Sequence, residues 1–168
     1  MGKILVVCAC LSVAAWADPA ASQPIETNSF RYVPPAGWVV NLTTRPVSIV
    51  GPAKELLQLT TKNVSGAGTD AEAKGILKDV EGAGVRSIER VIKEDNLRLV
   101  RPASRRLLPN GAAITELEAR SQDGMRTLLG FVIVGPRSVL LATLDASGNA
   151  QTAISAIRQS FEAIRWTQ

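Results

Sequence analysis

The chain has 168 residues, 46% of them hydrophobic and 20% charged, with 19 Lys+Arg against 15 Asp+Glu, two cysteines and no histidine. Such a length fits one domain that can bury a core without metals or disulfides. The missing histidine excludes a Ser-His-Asp triad and the usual imidazole base at neutral pH, and removes a common zinc ligand.

Lys3 is followed by an uncharged run over residues 4–15 and by Ala15-Trp16-Ala17 ahead of Asp18, which has the small-x-small form of a signal-peptidase site. This predicts a signal peptide over 1–17, cut between Ala17 and Asp18; the run is short for a bilayer span. Cys8 and Cys10 both fall inside it, and an acylated cysteine is the weaker reading because almost no apolar segment would precede it. A mature chain without cysteine fits a bacterial periplasmic or secreted domain with an adequate core. Asn41-Leu42-Thr43 and Asn63-Val64-Ser65 match the short N-glycosylation pattern, which matters only in a source that glycosylates.

Residues 18–28 are small, polar and proline-bearing, and read as a flexible linker before a single domain over 29–168. Phe30-Arg31-Tyr32-Val33 alternates as a short strand, Pro34-Pro35-Ala36-Gly37 turns the chain, and extended backbone resumes at Trp38. Trp38 reads as a core or edge aromatic rather than a stacking platform for a ligand, since a buried indole removes so much area from water. Residues 47–50 and 55–61 are further strands, parted by Gly51-Pro52. Thr69 or Asp70, supported by Glu72, is a helix N-cap. It predicts a helix over 71–81 with Ala73, Ile76, Leu77 and Val80 on the apolar face, Lys74 and Lys78 opposite, and Gly82 and Gly84 as the stop.

From 85 to 93 apolar and charged residues alternate, which predicts an edge strand charged on both faces. Asp95-Asn96 turns, and residues 97–101 and 105–108 are short strands on either side of Pro102. After Pro109-Asn110-Gly111, Ala113, Thr115, Leu117 and Ala119 face one way and Glu116, Glu118 and Arg120 the other, the pattern of a half-exposed strand. Gln122-Asp123-Gly124 closes a hairpin into residues 125–134, and Gly135-Pro136-Arg137-Ser138 leads to another strand over 138–144; both strands are apolar on both faces. Ile154, Ile157, Phe161 and Ile164 recur at helical spacing, and that stripe needs a sheet to lie on. The expected architecture is therefore α+β, one domain with a mostly antiparallel sheet and two helices packed on it.

Three short motifs refine this. Phe30-Arg31-Tyr32-Val33-Pro34-Pro35-Ala36-Gly37-Trp38 and Gly124-Met125 at the head of a long apolar strand, with Ile157-Arg158-Gln159-Ser160-Phe161 near the end, resemble the PsbP-like α/β/α sandwich. That fold is known from an extrinsic photosystem II subunit, a Ran-binding nuclear import factor and bacterial exported proteins of the DcrB-like branch. The resemblance spans about residues 29–166 and implies a mostly non-catalytic scaffold for binding proteins. It carries over no site residues, because members use different surfaces and the fold does not fix function.

No Ser-x-x-Lys occurs after the leader. Glu116 and Glu118 project side by side, but two glutamates on the polar side of an antiparallel strand read as its solvated face rather than as an acid–base pair. The glycine-rich stretches Ser65-Gly66-Ala67-Gly68-Thr69 and Glu81-Gly82-Ala83-Gly84 lack the Walker ending and the dinucleotide spacing, and read as a helix entry and exit. Charge is the feature that stands out. Residues 86–106 hold seven positive and three negative side chains, while the rest of the mature chain holds 11 and 12.

Within that segment Arg98, Arg101, Arg105 and Arg106 cluster around Pro102, and guanidinium forks suit carboxylate and phosphate. A solvated edge is the plain reading; a docking surface for an acidic protein is the functional one. Few aromatics and an export signal argue against nucleic acid. The expectation is a non-enzymatic periplasmic accessory protein, without catalytic residues, metal or cofactor, that engages an acidic partner through this Arg-rich edge. Two alternatives stand beside it: an envelope factor binding anionic lipid or cell-wall polymer, and an inhibitor or immunity protein for a toxin or hydrolase.

Overall fold

The computed structural model describes residues 22–64 and 69–167; the expected signal peptide with its Ala17–Asp18 cleavage point, and the loop 65–68, lie outside the described residues. The chain begins with three short strands, β1 (Ile25–Glu26), β2 (Phe30–Tyr32) and β3 (Val39–Asn41). β4 (Val47–Val50), β5 (Leu56–Asn63) and helix α1 (Asp70–Glu94) follow. Next come four long strands, β6 (Arg98–Leu107), β7 (Ala113–Arg120), β8 (Arg126–Val134) and β9 (Ser138–Ser147), and the chain closes with helix α2 (Gln151–Glu162) and β10 (Arg165–Trp166).

Seven strands form one antiparallel sheet in the order β3-β4-β5-β9-β8-β7-β6, and β1, β2 and β10 form a small second sheet. The segment expected to be a tether thus contributes a strand: Ile25 pairs with Tyr32 and is buried at 5% exposure. The main sheet is covered on both faces. On one, Ala73, Leu77, Ile88 and Ile92 of α1 pack on Leu117, Leu128, Val132 and Val139. On the other, Ile154, Ile157 and Phe161 of α2, with Ile164 just beyond it, pack on Ile114, Leu129, Phe131 and Leu144. These four side chains of the closing stripe contribute at most roughly 1.5–3 kcal/mol each. Phe30 and Tyr32 of the small sheet join this second core, where the rings of Tyr32 and Phe161 lie 5.6 Å apart. Trp38 is buried in it as well, as its indole area required. Helices on two faces of one sheet make the expected α+β sandwich.

Three local expectations are corrected. Helix α1 has 25 residues and runs straight through Gly82 and Gly84, so residues 85–93 are helix and not an edge strand. Ile88 and Ile92, an even number of positions apart, would share a face in a strand, but they also extend the stripe of Ala73, Leu77 and Gly84 at i+4 and i+7 spacing, and packing decides for the helix. Gly84 is not a stop but the point of closest approach. A Cβ there would drive into the side chains of Leu141 and Val132, just as one on Gly130 would strike Ile88. The expected N-cap is in place: Thr69 Oγ1 accepts from the Glu72 amide at 3.2 Å, and Glu72 accepts from the Thr69 amide at 3.1 Å.

The second correction concerns Pro102, which does not divide two strands. β6 continues through it as an edge strand, and two register shifts, between Leu99 and Arg101 and between Arg101 and Ser104, absorb the irregularity. The third concerns β7. From Ala113 to Ala119 it is buried on both faces, because α1 covers one and α2 reaches over the other.

Candidate functional site

The charged segment splits between two elements. Arg86, Arg90 and Lys93 lie on α1, whereas Arg98, Arg101, Arg105 and Arg106 all lie on β6, whose ten residues are exposed. Cross-strand partners share a face of the sheet, so the register of β6 on β7 fixes where each arginine stands. Arg98 is opposite Arg120, Arg101 opposite Glu118 and Arg106 opposite Ile114, all on the α2 face; Arg105 is opposite Thr115 on the α1 face. Simple alternation would have placed Arg101 with Arg105 instead. The bulge beside Val100 swings it across to the carboxylates.

There it meets two glutamates that the alternation pattern had put in solvent. Glu116 and Glu118 are buried, at 8% and 5% exposure, which corrects the expectation of a solvated face. A buried carboxylate needs charge and hydrogen bonds around it, and both have them. Arg158 Nε donates to both oxygens of Glu116, at 3.1 and 3.2 Å, and its Nη2 also binds Oε1. Arg120 donates to Glu118 through Nε at 3.0 Å and Nη2 at 2.8 Å. Arg101 bridges the two, its guanidinium 3.7 Å from each. On the edges of this cluster Arg106 pairs with Glu162 of α2 at 3.4 Å.

The α1 face repeats the theme on a smaller scale: Glu81 Oε1 accepts from the Thr115 hydroxyl at 2.6 Å and from Arg105 Nε at 3.0 Å. Three of the four β6 arginines therefore hold a carboxylate of this chain, while Arg98 has no ion pair among the described residues. Arg101, Arg105 and Arg106 remain about half exposed, so each guanidinium keeps an outward side.

Glu116 and Glu118 are thus held as ion-pair acceptors by guanidinium donors, Glu118 through its Oε1. Among the described residues no group of three or more His, Cys, Asp or Glu side chains is placed to hold a metal, and no helix is long and apolar enough to cross a membrane. Sequence reasoning located the four arginines but missed Glu81, which holds Arg105, and Arg158, which holds Glu116. Arg158 had a faint signal, lying next to Ile157 on a helix whose stripe faces the sheet; Glu81 had none, because its helix was expected to end there.

Neither a scan of protein-family models nor a search of curated proteins finds a match to this chain. Solved structures do match. The solution structure of cyanobacterial PsbP (CyanoP) from Synechocystis sp. PCC 6803 superposes with a TM-score of 0.59 at 16% identity, covering 94% of this chain and 99% of that one. LpqN of Mycobacterium tuberculosis, described as involved in cell envelope biogenesis, superposes with a TM-score of 0.56 at 16% identity, covering 87% and 90%. With two helices on opposite faces of one antiparallel sheet and matches that span nearly the whole of both chains, this chain has a PsbP-like fold.

Proposed function

We propose that the chain is a non-catalytic, exported accessory protein that docks an acidic protein segment along β6. The observation that carries this reading is the strand itself: a ten-residue sheet edge, exposed throughout, with four arginines whose outward sides are open. The carboxylates beneath Arg101, Glu118 and Glu116, are buried at 5% and 8% exposure, whereas Glu162 beside Arg106 is partly exposed. An approaching partner therefore meets guanidinium first. Open backbone groups along the same edge add hydrogen bonds for an extended segment. Export is supported by the form of residues 1–17 and by the likeness to an envelope protein.

The test uses the mature chain from Asp18, immobilised beside an Arg98→Glu, Arg106→Glu double variant, which leaves the buried carboxylates their Arg101, Arg120 and Arg158 partners. Both are exposed to envelope extract and eluted in steps of salt. A stoichiometric protein that binds the native edge, releases with salt and is lost from the double variant is the expected result. A partner held equally by both chains, or binding to lipid or cell-wall polymer in its place, overturns the reading.

A further inference from the structure

Helix α1 does not cover its face of the sheet evenly. It comes closest at Gly84, over Val132 of β8 and Leu141 of β9, and at Ile88, over Gly130. Toward β7 and β6 the sheet extends past the helix, and a groove of about 760 Å³ opens between them. Its floor is apolar, made by Leu77, Val85 and Val134. Its wall is basic: Lys74, Lys78 and Arg86 line it from α1 and Arg105 from β6.

Lys74, Lys78, Gly82 and Arg86 are successive positions of one i+4 row, which runs about 18 Å along the helix at 1.5 Å per residue. Gly82 breaks the row of side chains. Glycine inside a helix is a destabilising choice, and here it leaves room for the Arg86 guanidinium to lie over the helix: a Cβ would stand 3.3 Å from Arg86 Nη1 and meet nothing else within 4 Å. Charge in the groove is unbalanced. Its carboxylate, Glu81, is already taken by Thr115 and Arg105, whereas Lys74, Lys78 and Arg86 make no ion pair among the described residues. Asp70, one turn before Lys74, stands at the far end of the row.

An apolar trough beside a row of three unpaired cations is complementary to a molecule with one alkyl chain and one anionic head. We infer that this groove binds a free single-chain anionic amphiphile of the fatty-acid type, its chain on Leu77, Val85 and Val134 and its carboxylate over Gly82 between Lys78 and Arg86. The inference goes beyond the protein-docking reading and does not rest on it: of the four β6 arginines Arg105 alone lines the groove, and Arg98, Arg101 and Arg106 lie on the opposite face.

Calorimetric titration of the mature chain with decanoate, decanol and inorganic phosphate tests it. Decanoate below its micellar concentration saturates one site; decanol, which lacks the charge, and phosphate, which lacks the chain, each bind at least about fivefold more weakly. Lys78→Ala with Arg86→Ala weakens decanoate by about five- to tenfold. Gly82→Leu fills the trough and suits a helix better than glycine, so it abolishes binding in a chain that melts no lower than the native one. Decanoate bound as well by Gly82→Leu or by the double alanine variant overturns the inference. So does decanol binding as tightly as decanoate, or binding to phosphatidylglycerol vesicles with none to monomeric decanoate.

Discussion

Arg158 of α2 grips Glu116 of β7 through both carboxylate oxygens, Nε lying 3.1 and 3.2 Å away, and so ties the second helix to a buried carboxylate on the strand next to the sheet edge. The glutamate side chain is 10% exposed and the arginine 26%. Removing one member of such a pair leaves the other charge without its main partner, which costs more than removing both. Arg158→Met is therefore expected to lose about 2–4 kcal/mol in urea unfolding, the retained Arg101 contact keeping it below the cost of a bare charge. The Glu116→Met, Arg158→Met double variant should lose less than the single one. Equal losses would show that the pair does not act as a unit.

The glycines of α1 separate helix propensity from packing. Gly75 meets nothing within 4 Å of an added Cβ, so Gly75→Ala should raise stability by about 0.5–1 kcal/mol, the ordinary gain in a helix interior. Gly84→Ala brings the same gain in propensity, but its methyl strikes Leu141 and Val132, and overpacking costs about 1–3 kcal/mol. The two substitutions, identical in chemistry and nine positions apart on one helix, should shift the melting temperature in opposite directions. Stabilisation by both would mean that Leu141 and Val132 yield to the added methyl at no cost.

Those glycines also mark where sequence reading stops. Local patterns located β7, β8, β9 and α2, because period-two and period-3.6 stripes of Ile, Leu, Val and Phe survive into the fold. Thr69 and Glu72 likewise declared the start of α1. Its end was concealed, since Gly82 and Gly84 are stop signals in isolation, and Gly84 becomes a contact point only when β8 and β9 lie beneath it. For the same reason Glu116 and Glu118 looked solvated. Their burial depends on Arg101, Arg120 and Arg158, and two of those reach them through a bulge in β6 and a helix more than thirty residues downstream, neither written in the alternation of β7. The four arginines were legible as a cluster, but not which face each takes.

Tyr32 is the chain's single tyrosine, so its titration can be read directly by absorbance. Burial pushes its hydroxyl far above the ordinary 10.0, against a smaller opposing effect of its 2.9 Å hydrogen bond with Ser160. An acid whose proton is held more tightly in the folded chain adds stability that is complete below the unfolded value and is lost as pH rises past it. Tyrosinate absorbance should therefore appear only with unfolding, above pH 10.0, and as one cooperative step. Tyr32→Phe should lose about 1 kcal/mol at neutral pH with the Ser160 hydrogen bond and should flatten the alkaline fall in stability. A smooth titration centred on the ordinary value in the folded chain would show the ring open to solvent.

At the other end of the pH scale the hairpin between β7 and β8 supplies the probe. Asp123 Oδ1 accepts from Ser121 Oγ at 2.5 Å and from the Met125 amide at 3.0 Å, and these two hydrogen bonds hold its carboxyl below the ordinary 3.8. The turn is completed by Gly124, whose φ of 72° lies in the left-handed region that glycine tolerates. A carboxyl with a lowered folded value stabilises above its unfolded value, and that contribution is lost as pH falls through the folded one. Protonation removes the acceptor charge from both donors, so the hairpin should loosen first while the buried strands behind it persist. Hydrogen exchange at the Met125 amide should accelerate as pH drops below 3.8, beyond the intrinsic trend seen at amides of β8. In Asp123→Asn, whose amide oxygen accepts at every pH, that extra acceleration should vanish. If it persists unchanged in the variant, Asp123 does not govern the acid opening of the turn.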